Sequence, residues 1–282
     1  MDLGDGIKPF GESIAKGYRD GPTVTSTIEP VMAFPSVADL TNGPLSPVSL
    51  NAGTIDVWSG SLEGSAIVQR RCHAWLSEEE RARAARFLRV DDRVTFTLAR
   101  GALRAVLARY VDVEPPEIQI KIGPTGKPAL LCQQGGSQLR FNLSHAHGRM
   151  LLSVTKDREV GIDLEQVRDD RQPLKLAERF YTAAEYEWIM SWPANDRAAQ
   201  FYRLWVAKEA CVKAQGTGIG SIQHCEIVAS SSGLRAGVRL PATSVMRRGW
   251  TIHWLNCGLG WQGAVAANGN DWSIRVHDSV SV

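Results

Sequence analysis

Several features that assign a protein quickly to a functional class are missing from this sequence of 282 residues. Its five cysteines form no C-x-x-C pair, and their odd number argues against a disulfide framework as well as a structural zinc site. No stretch approaches the roughly 20 apolar residues that cross a bilayer, and the N-terminus lacks the apolar core of a signal peptide. The sequence therefore predicts a cytoplasmic protein with no membrane partner.

A strong charge imbalance is also missing, because 32 Lys and Arg residues nearly balance 30 Asp and Glu residues and leave a net charge of +2. This balance gives no overall signal for binding nucleic acid, and we expect no nucleic-acid partner. The arginines are unevenly distributed, however, with ten of them between Arg70 and Arg109. That segment is either a local anion-binding face or a solvated helix surface.

Composition divides the chain into an extension and a folded body. Residues 1–50 contain six prolines and no sustained period, which predicts a poorly ordered or loosely docked extension. The body mixes alternating strands with amphipathic helices, so the predicted fold class is α+β, with helices beside a largely antiparallel sheet in each half. We place an N-terminal half at residues 51–158 and a C-terminal half at 159–282, and predict a strand pair from residues 150–154 and 160–164.

Two acids alternate along the predicted strand V-G-I-D-L-E, residues 160–165. Because side chains alternate between the two faces of a strand, the apolar residues can enter the core while Asp163 and Glu165 project from the other face. Like charges this close are unfavourable without a cation, and magnesium takes oxygen ligands while keeping waters for a substrate phosphate. The alternative is a strand end that exposes two acids to water.

A predicted helix over residues 198–215 carries a third acid. Trp205, Glu209 and Lys213 fall at i, i+4 and i+8 and therefore share one helix face. Trp205 can anchor the helix while Glu209 and Lys213 reach outward. The alternative is an ordinary amphipathic helix whose Glu–Lys pair contributes only about 0.2–0.5 kcal/mol.

Two more segments carry polar residues where a ligand could bind. In F-N-L-S-H, residues 141–145, Ser144 and His145 lie at the end of a predicted strand. In G-P-T-G-K-P, residues 123–128, the spacing is not that of a P-loop, yet a rigid turn could present Lys127 to a phosphate. A surface histidine and an ordinary hairpin turn are the alternatives.

The order of these motifs is more specific than any one of them. G-K-P, F-N-x-S-H and V-G-I-D-x-E precede Glu185 and then W-x-x-K-E-x-x-x-K at residues 205–213. Together they make the chain resemble the 4'-phosphopantetheinyl transferase superfamily, and most closely its long, Sfp-like type, which activates surfactin synthetase and related megasynthases. The resemblance spans about residues 75–220.

This resemblance implies two similar α/β halves that form a pseudodimer, with coenzyme A in the cleft between them, and hence a monomer. It also implies a magnesium-dependent enzyme that transfers 4'-phosphopantetheine from coenzyme A to a serine of an apo acyl or peptidyl carrier protein. Carriers from fatty-acid, polyketide, peptide-synthetase and lysine pathways all fit this expectation.

The resemblance also implies roles for individual residues. The magnesium-binding acids match Asp163, Glu165 and Glu209. The donor-binding residues match Arg83, Lys127, Ser144, His145 and Lys213. We expect Glu209 or Glu165 to take the proton of the acceptor serine, and Lys213 to offset charge on the leaving phosphate.

Two other functions use the same residues. A magnesium-dependent phosphohydrolase would act on coenzyme A or a nucleotide without any carrier. A non-catalytic protein would bind coenzyme A or a carrier without turnover. The complete set of acids together with Lys213 favours an enzyme over the second alternative, because binding alone does not need all of them.

Overall fold

The computed structural model describes residues 30–41, 46–131, 139–156, 158–169, 172–229, 233–240 and 249–277. The helices in these ranges are α1 Val37–Thr41, α2 Ala66–Trp75, α3 Glu78–Ala85, α4 Val90–Val111, α5 Pro173–Phe180, α6 Ala183–Met190 and α7 Arg197–Gln215. Across the described part of the chain, none of the helices has the length and apolar character that a membrane span requires.

Eleven strands lie in the same ranges and form two main sheets and a short hairpin. They are β1 Thr54–Ser61, β2 Ile120–Ile122, β3 Pro128–Leu130, β4 Leu139–Ala146, β5 Arg149–Lys156, β6 Val160–Gln166, β7 Glu226–Ala229, β8 Arg235–Arg239, β9 Trp250–Leu255, β10 Trp261–Asn268 and β11 Ser273–His277. The first sheet has the order β11-β1-β5-β4 and the second β6-β10-β9-β8-β7. Only the β1–β11 pair is parallel among these described strands, which confirms an α+β fold with largely antiparallel sheets.

The two halves follow the same plan. Each begins with a strand, continues through two short helices into one long helix, and returns to the sheet in antiparallel strands. In the first half β1 pairs with β5, which pairs with β4; in the second half β6 pairs with β10, which pairs with β9. The predicted pseudodimer is therefore confirmed, although the two halves share no sequence repeat that we could recognise.

A buried ion pair occurs at matching places in both halves. Glu80 is the third helical residue of α3 and completes its capping box with Ser77, and its carboxylate accepts a hydrogen bond from Arg104 of α4 at 2.7 Å. Glu185 is the third residue of a capping box on α6, and its carboxylate lies 2.8 Å from the ammonium of Lys208 on α7. Each cation also donates to backbone carbonyls in the turn after its helix. The motif residue Glu185 thus ties a short helix to the long one.

Three apolar clusters hold these layers together. One lies between the first sheet and α4, and another between the second sheet and α7. The third joins the two sheets and contains Ile55 and Val57 of β1, Leu151 of β5, Val160, Ile162 and Leu164 of β6, and Val265 and Ala267 of β10. The apolar face predicted for residues 160–165 is therefore confirmed, and it packs against the other half of the molecule.

The predicted pairing of residues 150–154 with residues 160–164 is wrong. β5 lies between β1 and β4, whereas β6 pairs with β10. Alternation along each strand gives it an apolar face but does not select its hydrogen-bonded neighbour. Leu151 and Ile162 instead meet face to face in the cluster between the sheets, so the connection after β5 leads from one sheet into the other.

Part of the predicted N-terminal extension packs into the body. Val37 and Leu40 of α1 are fully buried against the first half, and Met32 is buried in the cluster between the sheets. The Met32 backbone N–H also donates to the carbonyl of Asn256 at 2.8 Å. Met32 and α1 of the predicted extension thus pack against the body, while residues 1–29 and 42–45 of the extension lie outside the described residues.

The last described strand, β11, follows the second half in sequence but lies in the first sheet. Its Arg275 forms two hydrogen bonds of 2.7 Å with the buried carboxylate of Asp56, which also accepts one of 2.6 Å from Tyr110. His277 stacks on Trp58 with a distance of 4.1 Å between ring centroids. The domain division at residue 158 stays a prediction, and β11 crosses it.

Candidate active site

Gly161 explains how the acids of β6 and α7 come together. A side chain at this position would place its Cβ 2.0 Å from the carbonyl oxygen of Ala210, so glycine lets α7 lie directly on β6. Asp163 projects from the same face of β6, toward α7, and is almost fully buried. The same turns of α7 carry Glu209 and Lys213, which directly precede the contacting residues Ala210 and Ala214.

Asp163 is the centre of a small polar network. Its Oδ1 accepts a hydrogen bond from Ser144 Oγ at 2.8 Å and forms an ion pair with Lys213 Nζ at 2.5 Å. Lys213 Nζ also lies 3.1 Å from Ser144 Oγ. The F-N-L-S-H motif, the V-G-I-D-x-E motif and the last lysine of the α7 motif therefore meet at one carboxylate.

The positive charge of Lys213 interacts with all three predicted metal-binding acids. Burial would lower the pKa of its ammonium, but the negative charges around it outweigh burial and raise that pKa, with contributions from Asp163, Glu209 and Glu165. Burial and the charge of Asp163 raise the pKa of Glu209, and Lys213 opposes them. Glu165 is half-buried and lies opposite Gln262 in the β6–β10 register. The structure thus brings the three acids to one lysine.

The second oxygen of Asp163, Oδ2, is buried and has no hydrogen-bond partner. A buried carboxylate oxygen without a partner is unfavourable unless a ligand or an ion completes it. Among the described residues, no three His, Cys, Asp or Glu side chains are already arranged as a metal site. Magnesium nevertheless fits, because it needs only one or two carboxylates and takes its other ligands from water and substrate phosphates.

The site lies where the edges of the two sheets meet. β4 and β6 are each the terminal strand of a main sheet. Asn142 of β4 bridges them, because its Oδ1 accepts a hydrogen bond from the backbone N–H of Ile162 at 2.9 Å. This amide pairs with one backbone N–H on the open edge of β6. It thereby holds β4 so that Ser144, two residues further along, lies against Asp163. The motif F-N-L-S-H does not by itself predict this bridging role of Asn142.

A group of basic side chains, here called the basic wall, extends from the acids toward α4 and consists of Arg83, Arg100 and His145. The guanidinium carbons of Arg83 and Arg100 lie 5.4 and 5.6 Å from the ring centroid of Phe96. Desolvation, followed by the positive charges of Lys213 and Arg100, lowers the pKa of His145. His145 is therefore close enough to both Lys213 and Arg100 for their charges to act on it.

Sequence reasoning did not single out Arg100, which was one of ten arginines in its segment. Burial lowers the pKa of Arg100, and the neighbouring Arg83 lowers it further, although Glu80 opposes both. The nearest approach to Glu80 is 3.9 Å, and that carboxylate is held more closely by Arg104 at 2.7 Å. Two arginines and a histidine thus converge without an equal number of acids.

Lys127 lies at a different place from the other predicted site residues. Its Nζ donates to Glu159 Oε2 at 2.9 Å and to the carbonyl of Ala214, at the end of α7, at 2.7 Å. Arg140 of β4 reaches the same Glu159 carboxylate at 3.3 Å. The Lys127 ammonium therefore joins the turn after β2 to the second half of the molecule.

Comparisons with known proteins agree with this arrangement. A family model described as "4'-phosphopantetheinyl transferase, N-terminal" matches residues 67–158, and one described as "4'-phosphopantetheinyl transferase superfamily" matches residues 159–256. The 4'-phosphopantetheinyl transferase HetI of Nostoc sp. is 34% identical over 222 residues, which cover 76% of this chain and 92% of HetI. The chain belongs to the 4'-phosphopantetheinyl transferase superfamily.

Two further relatives carry the same activity in their names. The 4'-phosphopantetheinyl transferase psf-1 of Bacillus pumilus is 32% identical over 167 residues, which cover 59% of this chain and 69% of psf-1. The 4'-phosphopantetheinyl transferase Sfp of Bacillus subtilis is 28% identical over 149 residues, which cover 53% of this chain and 64% of Sfp. The expected long, Sfp-like type is confirmed, and the chain is an enzyme of this superfamily.

Proposed function

We propose that this phosphopantetheinyl transferase takes 4'-phosphopantetheine from coenzyme A and attaches it to a serine of an apo acyl or peptidyl carrier protein, with magnesium as its metal. The observation that carries the proposal is the environment of Asp163. One of its oxygens pairs with the Lys213 ammonium at 2.5 Å, and the other is buried without a partner. A cation beside an incomplete carboxylate is suited to a metal-bound pyrophosphate.

The arrangement of positive charge supports coenzyme A as the donor. Coenzyme A carries negative charge in two places, at a ribose 3'-phosphate and at a pyrophosphate. The basic wall offers two guanidinium groups at the Phe96 ring, and the charges of Arg100 and Lys213 both act on His145. We assign the 3'-phosphate to Arg83, Arg100 and His145, and the pyrophosphate to Lys213 and Ser144.

Lys127 enters the proposal through the shape of the donor cleft. Its ammonium already donates to two acceptors, the Glu159 carboxylate just before β6 and the carbonyl of Ala214 at the end of α7. We therefore assign it the task of holding the turn at residues 123–128 against the second half, where that turn can border the donor. Both halves of a single chain surround the proposed cleft, so we also propose that the enzyme acts as a monomer.

The proposed reaction exchanges one phosphorus–oxygen bond for another. The serine hydroxyl of the carrier attacks the phosphorus that bears pantetheine, the bond to the second phosphate breaks, and adenosine 3',5'-bisphosphate leaves. Glu209 or Glu165 takes the serine proton, and Lys213 offsets the charge that grows on the leaving phosphate. Magnesium, held by Asp163, Glu165 and Glu209, would supply further charge stabilisation when bound.

The test combines the purified protein with coenzyme A, magnesium and an apo carrier domain, followed by intact mass measurement of the carrier. A mass gain of one phosphopantetheine group is expected, and it should be lost when magnesium is chelated. Unchanged carrier with cleaved coenzyme A would identify a phosphohydrolase instead. Unchanged carrier and intact coenzyme A, with tight binding, would identify a non-catalytic binding protein.

A matched pair of variants links this outcome to the site. Asp163→Asn keeps the shape of the side chain but removes the charge, and we expect transfer to fall by at least about a hundredfold, as for the loss of one group that stabilises transition-state charge. Glu187→Gln makes the same chemical change at an exposed position of α6 and should load carrier like the wild type. Equal activity of both variants would contradict the proposed site.

A further inference from the structure

The segment that joins α3 to α4 exposes two aliphatic side chains. Leu88 is fully exposed, and Val90 is 61% exposed. The segment is nevertheless fixed in place, because Phe87 packs on Phe96 with a ring-centroid distance of 5.4 Å and its N–H donates to the carbonyl of Ala84. Adjacent apolar side chains held rigidly in solvent often mark a surface that a partner covers.

Arginines surround these two side chains. We define the docking patch as Arg86, Leu88, Arg89, Val90 and Arg93, all of which are exposed. The three arginines form no ion pair with any other described residue. Nearby Asp91 and Asp92 occupy the first turn of α4, where negative charge complements the helix dipole. The patch therefore combines an apolar centre with a surplus of positive charge.

The docking patch lies beside the proposed donor site. Arg83, of the basic wall, is in the last turn of α3, immediately before the patch. Phe96 connects the two features, because both arginines of the wall lie over its ring and Phe87 packs against it at a tilt. A macromolecule on the docking patch would therefore lie next to the basic wall.

We propose that the docking patch binds an acidic face of the carrier protein whose serine is modified. This inference rests on the proposed function, which requires that the nucleophile arrive on a second protein. An acidic surface complements three arginines that pair with no acid in the described ranges, and an apolar side chain at its centre would cover Leu88 and Val90. The patch contributes to carrier recognition and makes no contact with the donor.

Two double variants with the same change in charge test this proposal. Leu88→Asp with Arg89→Glu alters the docking patch, and Ile67→Asp with Arg70→Glu alters an exposed aliphatic residue and an exposed arginine of α2. The patch variant should raise KM for the apo carrier about tenfold, the effect of losing roughly 1.4 kcal/mol of binding. Its kcat and its KM for coenzyme A should match those of the wild type and the α2 variant.

A binding measurement without coenzyme A gives an independent readout. The patch variant should bind fluorescently labelled apo carrier more weakly than the α2 variant does, and added salt should weaken wild-type binding more than patch-variant binding. Equal carrier KM and equal carrier binding for both variants would overturn the proposal. A change in KM for coenzyme A alone would assign the patch to the donor, and a dimer that only the patch variant disrupts would assign it to a second copy. A wild-type protein that loads no carrier would instead refute the proposed function.

Discussion

The carboxylate of Glu185 and the ammonium of Lys208 lie 2.8 Å apart, and neither side chain is exposed to solvent. Lys208 directly precedes Glu209, and successive residues on a helix point in directions about 100° apart, as 3.6 residues per turn requires. A Lys208 side chain anchored in the core therefore fixes the rotation of α7 that turns Glu209 toward Asp163. The pair also accounts for the spacing of K-E in the α7 motif.

Removing one partner of this pair should destabilise the protein strongly. Lys208→Met leaves the Glu185 carboxylate buried without its cation, so the free energy of unfolding should fall by about 3–5 kcal/mol in urea denaturation. Lys175→Met is the control, because Lys175 is an exposed lysine of α5 and should change stability by less than about 0.5 kcal/mol. Similar stability of the two variants would show that the ion pair does not hold α7.

The contact between β6 and α7 predicts a large effect of one methyl group. Gly161→Ala would drive its Cβ into the backbone of Ala210, so α7 must shift, with an expected loss of about 1–3 kcal/mol or more in thermal unfolding. Transfer activity should fall as well, because the shift separates Asp163 from Lys213. Gly237→Ala in β8 has open space around the new methyl group and should leave stability and activity near those of the wild type.

The basic wall predicts selective recognition of a phosphate. Arg100→Ala should raise KM for coenzyme A about 10- to 100-fold, the equivalent of losing a charged hydrogen bond of about 1.5–3 kcal/mol. With 3'-dephospho-coenzyme A as the donor, Arg100→Ala and the wild type should have nearly equal KM values. Arg70→Ala, an exposed arginine of α2, serves as the control. An equal effect on both donors would mean that Arg100 does not contact the 3'-phosphate.

The Asp56 network predicts a particular dependence of stability on pH. Burial alone would raise the pKa of Asp56, but the adjacent His277, Arg275 and Tyr110 outweigh it and hold that pKa below its ordinary value of 3.8. A carboxyl with a lowered pKa stabilises the folded state above its ordinary pKa, and the contribution disappears as the pH falls through the folded value.

Unfolding of Asp56→Asn at a series of pH values measures this contribution. The variant should lose about 1–3 kcal/mol at pH 7, where the wild-type carboxylate is charged, because Arg275 loses its anionic partner. The difference between the two proteins should shrink below pH 3.8, where the carboxyl of the unfolded chain becomes protonated, and disappear below the lower pKa of the folded state. A difference that stays constant as the pH falls well below 3.8 would contradict the role assigned to the charge.

The sequence predicted the orientation of a site residue where the period of its own strand or helix determines which face the side chain occupies. Alternation along residues 160–165 put Asp163 opposite the core, and helical spacing put Glu209 and Lys213 on one face. Their convergence was not predictable from spacing alone, because it depends on the close approach of α7 at Gly161. The order of the motifs supplied what local patterns lacked.

The remaining parts of the fold depend on contacts between distant residues. The partner of β5 could not be read from its alternation, which is compatible with either neighbour. Arg100 and Arg104 are four residues apart on α4, yet one joins the basic wall and the other pairs with Glu80 in the core. The sequence around the two arginines does not show which of them is buried in an ion pair and which is available to bind a ligand.

The position of β11 determines how this enzyme could be divided. A chain cut after residue 158 would leave β1 paired only with β5 and would remove Arg275 from the buried Asp56. The other fragment would carry β11 without the sheet to which it belongs. The two fragments would then behave as parts of a split enzyme, in which inserting the last strand drives complementation. Attaching Ser273–His277 to the first fragment would yield a piece better able to fold by itself.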